Sequence, residues 1–514
     1  MTTSSQQPSS GEAFGASPVR EMLNIALPSV LTMTSYTVMQ FIDALMVSRI
    51  TPADPVYVAA QGNGGMAIWL VVSTVMGMMM VINAYVSQHL GAGRPERGSA
   101  YAWAAIWMSV GFGALILPYA ALLPAIFEAQ AHTGQLLELE LEYARILAIG
   151  AFLLTASRGL QHYFYGMHRP RIVMAAAFAG NIVNVVVNWL LIFGMFGLPA
   201  MGVAGAAWGT IAGVAVELVI PIVIFLGPKM NAAYQTRRHW RPSWRPMKDI
   251  VRLGWPGAAM FANEMLCWTY LMVYLTPAGA RAEARWQQLS EADIARAGEI
   301  GNAAGWAALR YMHMSFMPAM GLSIAVTALV GRCMGMRRPD LAAARTWLGL
   351  KIAMVYMGVC ALAFLAFRFE LIAVFAPESM DDESREALVN VGARIMIAAA
   401  IFQVFDAVAI TISGALRGAG DTVWPGVATV VLSWVCIIGG GFLMIELFPS
   451  LGVLGPWIAV SAYIGCLGAA LLWRYLAGPW RNIDLVALSA VTASETALVP
   501  ESLTSTVTAD PSGA

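Results

Sequence analysis

The sequence predicts an all-α integral membrane protein whose twelve transmembrane helices form two pseudo-symmetric six-helix lobes. Three observations carry that prediction. Only 12% of the 514 residues are charged and 59% are hydrophobic, whereas soluble domains are about 25% charged. Apolar stretches of about 20 residues, the length that crosses a bilayer, recur along the whole chain. Motifs of the first half also recur in the second. Lys+Arg and Asp+Glu number 30 each, and zero net charge argues against a nucleic-acid binder, which carries a basic excess. No polar stretch is long enough to house an extramembrane enzyme domain. No HExxH, GxSxG or paired-Asp motif lies on a span, so no enzymatic activity is expected.

In chain order the spans centre on Thr34, Met76, Gly111, Leu153, Asn184 and Val214, then on Asn263, Met317, Val355, Ile401, Val435 and Tyr463. Residues 1–17 and 483–514 are rich in Ser, Thr, Gly, Ala and Pro and are expected to be disordered. The first of these lacks the basic start and apolar core of a signal peptide. Cys267, Cys333, Cys360, Cys436 and Cys466 lie in apolar segments without CxxC spacing. They read as small buried hydrophobes, with no disulfide framework or structural zinc site.

Basic residues set the orientation. Connections after even-numbered spans carry Arg94 and Arg97, Arg169 and Arg171, Arg337 and Arg338, and Arg417; the longest carries Lys229, Arg237, Arg238, Arg241, Arg245 and Lys248. Those after spans 3 and 9 are acidic, with Glu128, Glu138, Glu140 and Glu142 in one and Glu378, Asp381, Asp382, Glu383 and Glu386 in the other. The expectation is a multi-pass protein of the cell (inner) membrane with both termini cytoplasmic. The connection at about 278–303 mixes Arg281, Arg285 and Arg296 with Glu283, Glu291, Asp293 and Glu299. It reads as an external insertion forming a short, charge-paired surface helix.

The repeat divides the chain. LGAGRPE (90–96) matches MGMRRPD (334–340), LPAMGVAG (198–205) matches FPSLGVLG (448–455), and REMLNIALPS (20–29) matches KDIVRLGWPG (248–257). Six spans separate the copies, so corresponding helices point the same way and the lobes are related by an axis along the membrane normal. The expected division is an N-lobe at 18–228, a basic Trp/Pro-rich cytoplasmic linker at 229–247, and a C-lobe at 248–482.

A charge at the bilayer centre costs roughly 2.5–3.5 kcal/mol on insertion scales, so each buried one needs a partner or a function. The interior acids are Asp43, Glu217, Glu264 and Asp406, on spans 1, 6, 7 and 10. Asn181, Asn184 and Asn188 make a polar stripe on span 5, which suits either interhelical hydrogen bonding or a binding site. Glu264 and Asp406 lie mid-span with no basic residue one turn away. Two converging carboxylates suit a hard cation such as Na⁺ or a shared proton. Most interior bases, Arg145, Arg158, Arg252, Arg310, Lys351 and Arg394, lie near span ends and can reach the interface.

These pieces resemble the multidrug and toxic compound extrusion (MATE) transporters over about residues 20–480. The carrying motifs are LPSVL with FIDALMVS on span 1, LGAGRPE ending span 2, and GNIVNVVVNWLLIFG with GVAGAAWGT on spans 5 and 6. LGWPGAAMFANE opens span 7, and FDAVAITISGALRGAGDT ends span 10. Within the family the chain is most similar to the NorM-like branch, with a Glu on span 7 and an Asp on span 10. The resemblance implies a MATE-like fold and cation ligation by Glu264, Asp406 and Asp43, with a polar N-lobe site at Asn184, Asn188 and Asn181. It departs from the family at Asn188, where some relatives have an acid, and at Phe402, where relatives often have Tyr; Glu217 matches nothing in the family pattern.

The expected function is secondary active export of small amphipathic, cationic organic compounds by Na⁺ or H⁺ antiport, with alternating access between the lobes. No cofactor beyond that coupling ion is expected, no nucleic acid, and a monomer in the lipid bilayer. The alternative is a lipid-linked oligosaccharide flippase of the same broader superfamily. Flippases of that kind tend to line their cavity with Arg, whereas the cavity candidates here are acidic.

Overall fold

The computed structural model describes residues 17–488, apart from 53, 131 and 377–379. The expectations of disorder for 1–17 and 483–514, and Glu378 with them, fall largely outside the described residues. No strand occurs among those described. Twelve long helices carry the fold: α1 (Pro18–Val47), α2 (Pro55–Gly91), α3 (Pro95–Ala129), α4 (Gly134–Gly166), α5 (Pro170–Phe193), α6 (Gly202–Leu226), α7 (Trp244–Tyr270), α8 (Glu291–Gly335), α9 (Pro339–Ala366), α10 (Asp382–Ala419), α11 (Val423–Leu447) and α12 (Leu454–Ala477). Every predicted span centre falls inside one of them. Ten are long and apolar enough to cross a membrane; α4 and α7 miss that mark and carry Glu138, Glu140, Glu142, Arg145 and Arg158, and Arg245, Lys248, Asp249, Arg252 and Glu264.

The helices are amphipathic in the reverse sense to those of a soluble protein. On α1, Leu27, Val38, Phe41 and Leu45 are exposed, whereas Ser29, Thr32, Tyr36 and Asp43 are buried. On α5, Phe178, Ile182, Val186 and Trp189 face outward and Asn184 and Asn188 face in. With lipid outside, the apolar face needs no burial and the polar face does. Backbone-bonding hydroxyls, Ser29 to the Ile25 carbonyl (2.9 Å) and Thr32 to that of Pro28 (2.8 Å), stay inside the helix around Pro28.

Helices α1–α6 pack on one another and α7–α12 do likewise, with α2 against α4 as α8 is against α10. The repeated prolines take matching places: Pro28 and Pro256 inside α1 and α7, Pro95 and Pro339 at the first position of α3 and α9, and Pro199 and Pro449 in the turns before α6 and α12. The turn Gly91–Pro95 ends α2 with Gly93 at φ 71°, and Gly335–Pro339 ends α8 with Arg337 at φ 57°. Each closes with an N–H reaching back five residues, Arg94 to His89 and Arg338 to Cys333, both 2.9 Å, the Schellman arrangement. A third copy, Gly166–Pro170, ends α4 with His168 at φ 57° and Arg169 bonded to Phe164 at 2.9 Å.

The lobes meet along α1 against α8, along α2 against α7, and where α2 and α8 end. Asn83 donates to the Ile324 carbonyl (3.1 Å) and Gln88 to that of Gly418 (3.0 Å), and Gln88 accepts from Leu485 N–H (3.1 Å). Arg345 pairs with Glu21 (2.6 Å) and Tyr101 donates to Asp249 (3.0 Å) at the same end.

Three expectations change. The 278–303 region is no separate surface helix. The chain runs on from α7 through a π-turn (Leu271–Leu275) into Thr276–Trp286, and α8 already begins at Glu291. This hairpin is packed: Arg394 of α10 pairs with Glu283 (3.0 Å) and donates to the Leu451 carbonyl (3.1 Å). Glu140 belongs to the interior of α4, fully buried, with His132 at 2.8 Å and Asn63 at 3.2 Å. Of the cysteines only Cys267 and Cys333 are buried, while Cys466 is exposed, because a thiol is apolar enough to face lipid.

Candidate functional site

In the N-lobe, Asp43 of α1 is 7% exposed, and Asn188 of α5 donates to its Oδ1 at 2.7 Å. Asn188 also lies 3.4 Å from Asn184 Oδ1. One helical turn brings the two amides onto one face, and the α6 glycines let them stand there. A Cβ on Gly209 would lie 1.8 Å from Asn188 Oδ1, and one on Gly213 would lie 2.8 Å from Asn184 Cβ. The GVAGAAWGT motif therefore provides room for the Asn face. Asn181 lies apart from this pair, donating to Ser35 Oγ of α1 at 3.0 Å.

In the C-lobe, Asp406 of α10 is 3% exposed and its Oδ2 is buried without a hydrogen-bond partner. Glu264 of α7 is the charged group whose field acts on it, and Tyr463 of α12 lies within electrostatic range of both acids. The Tyr463 hydroxyl and Gln403 Oε1 are likewise buried and unpartnered. This brings three helices to one cluster of oxygens, a donor set that suits a hard cation or a proton. Tyr463 is the residue sequence reasoning missed. Phe402, where the resembled family often has Tyr, packs edge-on against Trp268, and the phenol oxygen comes instead from α12. Asn263, next to Glu264, ties α7 to α11 by donating to Ser433 Oγ (2.7 Å) and accepting from Trp434 Nε1 (2.8 Å). A π-turn lies in α11 at Ser433–Gly439 and another in α7 at Leu271–Leu275; such turns re-aim side chains inside long helices.

Between the lobes, Arg417 lies in a cleft lined by Gly77, Met80, Gly257, Phe261 and Ser413, and its charge bears on Glu264. The fourth interior acid, Glu217 of α6, is 4% exposed and belongs to a separate cluster with Tyr36, Arg158 and Gln161. Arg158 therefore departs from the expectation that it reaches the interface.

The MatE family profile matches residues 28–190 and 286–443, one stretch in each half. The "Probable multidrug resistance protein NorM" of Shewanella oneidensis is 26% identical over 460 residues, covering 88% of this chain and 93% of its own. Two solved structures are similar in fold. A crystal structure of MATE in complex with MaL6 is 20% identical, with a TM-score of 0.77 over 90% of this chain and 96% of that one. An outward-facing multidrug resistance MATE family transporter of the MOP superfamily is 21% identical, with a TM-score of 0.76 over 92% and 98%. With a profile matched in both halves and relatives aligned nearly end to end, this multi-pass membrane protein belongs to the MatE family.

Proposed function

We propose that the protein exports small amphipathic organic cations across the cell membrane by antiport against Na⁺ or H⁺. The lobes 18–228 and 248–482, joined by the basic linker 229–247, alternate in opening the cleft between them. The observation that carries this reading is the C-lobe cluster, where Asp406 is buried with an unpartnered carboxylate oxygen within the field of a second acid, Glu264, and no base pairs with it at contact distance. Such a pair does not stay ionised and empty in a low-dielectric interior; it holds a coupling cation, a proton or a cationic substrate. Exclusion of one by another is the linkage that couples the two fluxes. One monovalent cation moving down 100 mV supplies about 2.3 kcal/mol; exporting one monovalent organic cation costs the same, so one-for-one exchange draws on the concentration gradient of the coupling ion and only a second coupling ion adds the potential. The name of the Shewanella oneidensis relative supports drug-like cargo.

On this reading the basic connections mark the cytoplasmic side, and the α2–α8 seam beside them is where the lobes close against each other. The deciding experiment is uptake of a cationic dye into everted vesicles, the direction that corresponds to export, under an imposed Na⁺ gradient and, separately, an imposed H⁺ gradient. Gradient-dependent export supports the reading, and dye movement that only runs downhill rules it out.

A further inference from the structure

Glu217 lies deep in the N-lobe, away from the Asp43 site, and its surroundings are unusual for an ion pair. Three groups approach its carboxylate and all reach the same oxygen, Oε1: the Tyr36 hydroxyl of α1, the Gln161 amide of α4 at 2.7 Å, and the Arg158 guanidinium of α4 at 3.7 Å. None of them reaches Oε2. At 3.7 Å the guanidinium is not hydrogen-bonded to the acid. Its Nη1 donates instead to Gln161 Oε1 at 3.0 Å, and its Cζ lies 4.0 Å from the centre of the Tyr36 ring, a cation–π contact. Arg158 is therefore held by a ring and an amide whatever the charge on Glu217. Oε1 likewise keeps its Tyr36 and Gln161 donors whether or not Oε2 carries a proton.

We propose that Glu217 is a second proton-binding station of the N-lobe, loaded on Oε2, with Arg158 as its fixed neighbouring cation. Hydronium gives its proton to the carboxylate Oε2: one O–H bond forms there, one breaks in the hydronium and releases water, and the cluster passes from neutral to a net charge of +1. Tyr36 on α1 and Arg158 on α4 are the groups that reach it; beyond Arg158 stand His162 and Tyr165 of α4, with Arg417 of α10 acting on His162 from the other lobe. From α5 the seam presents Gly180 and the neutral Asn184.

The position suits communication with Asp43. Along the α5–α6 seam, Asn188 faces Gly209, Asn184 faces Gly213, and Gly180 faces Glu217. Glu217 is thus two turns, about 12 Å, from the amide that holds Asp43. Two unit charges about 12 Å apart at an effective dielectric of about 20 change each other's occupancy roughly tenfold. A proton on Glu217 would then disfavour any cation at Asp43, which is the sign antiport requires. The coupling role rests on the export reading above; proton binding does not.

The test uses the full chain in liposomes. Infrared difference spectra are recorded across a pH titration for wild type, Asp43→Asn, Glu217→Gln and Glu217→Gln/Arg158→Gln. The double variant is charge-neutral and covers the case in which the single variant leaves Arg158 too exposed to fold. Expected is a protonated-carboxyl band that grows as pH falls in wild type and Asp43→Asn and is missing from both Glu217 variants. Export of ethidium driven by a pH gradient should fall at least several-fold in the double variant. The proposal is overturned by a titration identical in wild type and the double variant, which means a locked structural ion pair, or by full pH-driven export in the double variant. Wild type that exports no ethidium under either gradient sinks the transport reading, and the infrared arm still decides the proton site.

Discussion

Gly91 and Gly335, the last residues of α2 and α8, each rest on the other helix's final turn. A Cβ on Gly91 would lie 2.0 Å from the Arg332 carbonyl oxygen, and one on Gly335 would lie 2.0 Å from that of Gln88. The two lobes are sealed here by backbone against backbone, a contact open only to the smallest residues. Two-state opening of this seam predicts that a larger side chain favours separation. Overpacking costs about 1–3 kcal/mol, a shift of roughly 5- to 150-fold. Gly335→Leu should therefore raise the maleimide reactivity of a cysteine placed at Ser87, which is fully buried in the seam, by about tenfold or more. Unchanged labelling would mean that the seam does not open in this way.

The C-lobe cluster makes a graded prediction. Asp406→Asn and Glu264→Gln preserve size and hydrogen bonding but remove a charge, and each should cut gradient-driven export by tenfold or more while membrane insertion is unaffected. Removing a buried charge lowers the insertion cost. Tyr463→Phe removes one neutral oxygen worth about 1 kcal/mol. It should raise the coupling-ion concentration for half-maximal export about fivefold without changing the maximal rate. Coupled export at wild-type levels in both acid variants excludes the site, whereas loss of expression instead of transport points to a structural role.

These predictions rest on residues that the sequence made legible to different degrees. The twelve helices were written in composition, because a span must satisfy its backbone internally and face lipid with apolar groups. The Asp43–Asn188 meeting was legible through the family resemblance, which implies both for the N-lobe; the Asn spacing alone fixes only a face of α5, and the room that the α6 glycines make for it shows only in the packing. Tyr463 was not, because a lone Tyr on an apolar helix carries no pattern and only the packing of α12 on α10 brings it to Asp406. Arg158 sits 59 residues before Glu217 on a helix of mixed polarity, so nothing local announced the pair. The hairpin after α7 misled for a related reason: its Glu283 has mixed-sign neighbours in sequence, but its partner in space is Arg394 on another span.

Gly209 and Asp43 should act as one unit although they never touch. A Cβ at Gly209 displaces the Asn188 amide that holds Asp43, so Gly209→Ala should lower export by several-fold. In the Asp43→Asn background the same substitution should cost little further, because the charge it disturbs is already gone. A double-mutant cycle on export rates reads this directly. Strict additivity of the two effects would show that Gly209 serves packing alone.

In the C-lobe, Asp381 caps α10 and gives the fold an acid-sensitive point. Its Oδ2 accepts the Ser384 N–H at 2.9 Å, and Arg296 of α8 donates to both carboxylate oxygens at 2.8 and 2.9 Å. The Ser384 N–H, and with it the Arg296 guanidinium, hold the Asp381 carboxyl below the ordinary carboxylate range. A group whose folded value is depressed contributes stability that is fully present above its unfolded value, about 3.9 for Asp, and is lost as pH falls through the folded value. Amide exchange at Ser384, corrected for its intrinsic pH dependence, should therefore quicken only below about pH 4. Asp381→Asn keeps a capping oxygen but no charge, so the acid step should disappear. Asp381→Ala should fray the first turn of α10 at every pH. Protection at Ser384 that is the same in wild type and Asp381→Ala would show that the cap does not form in solution.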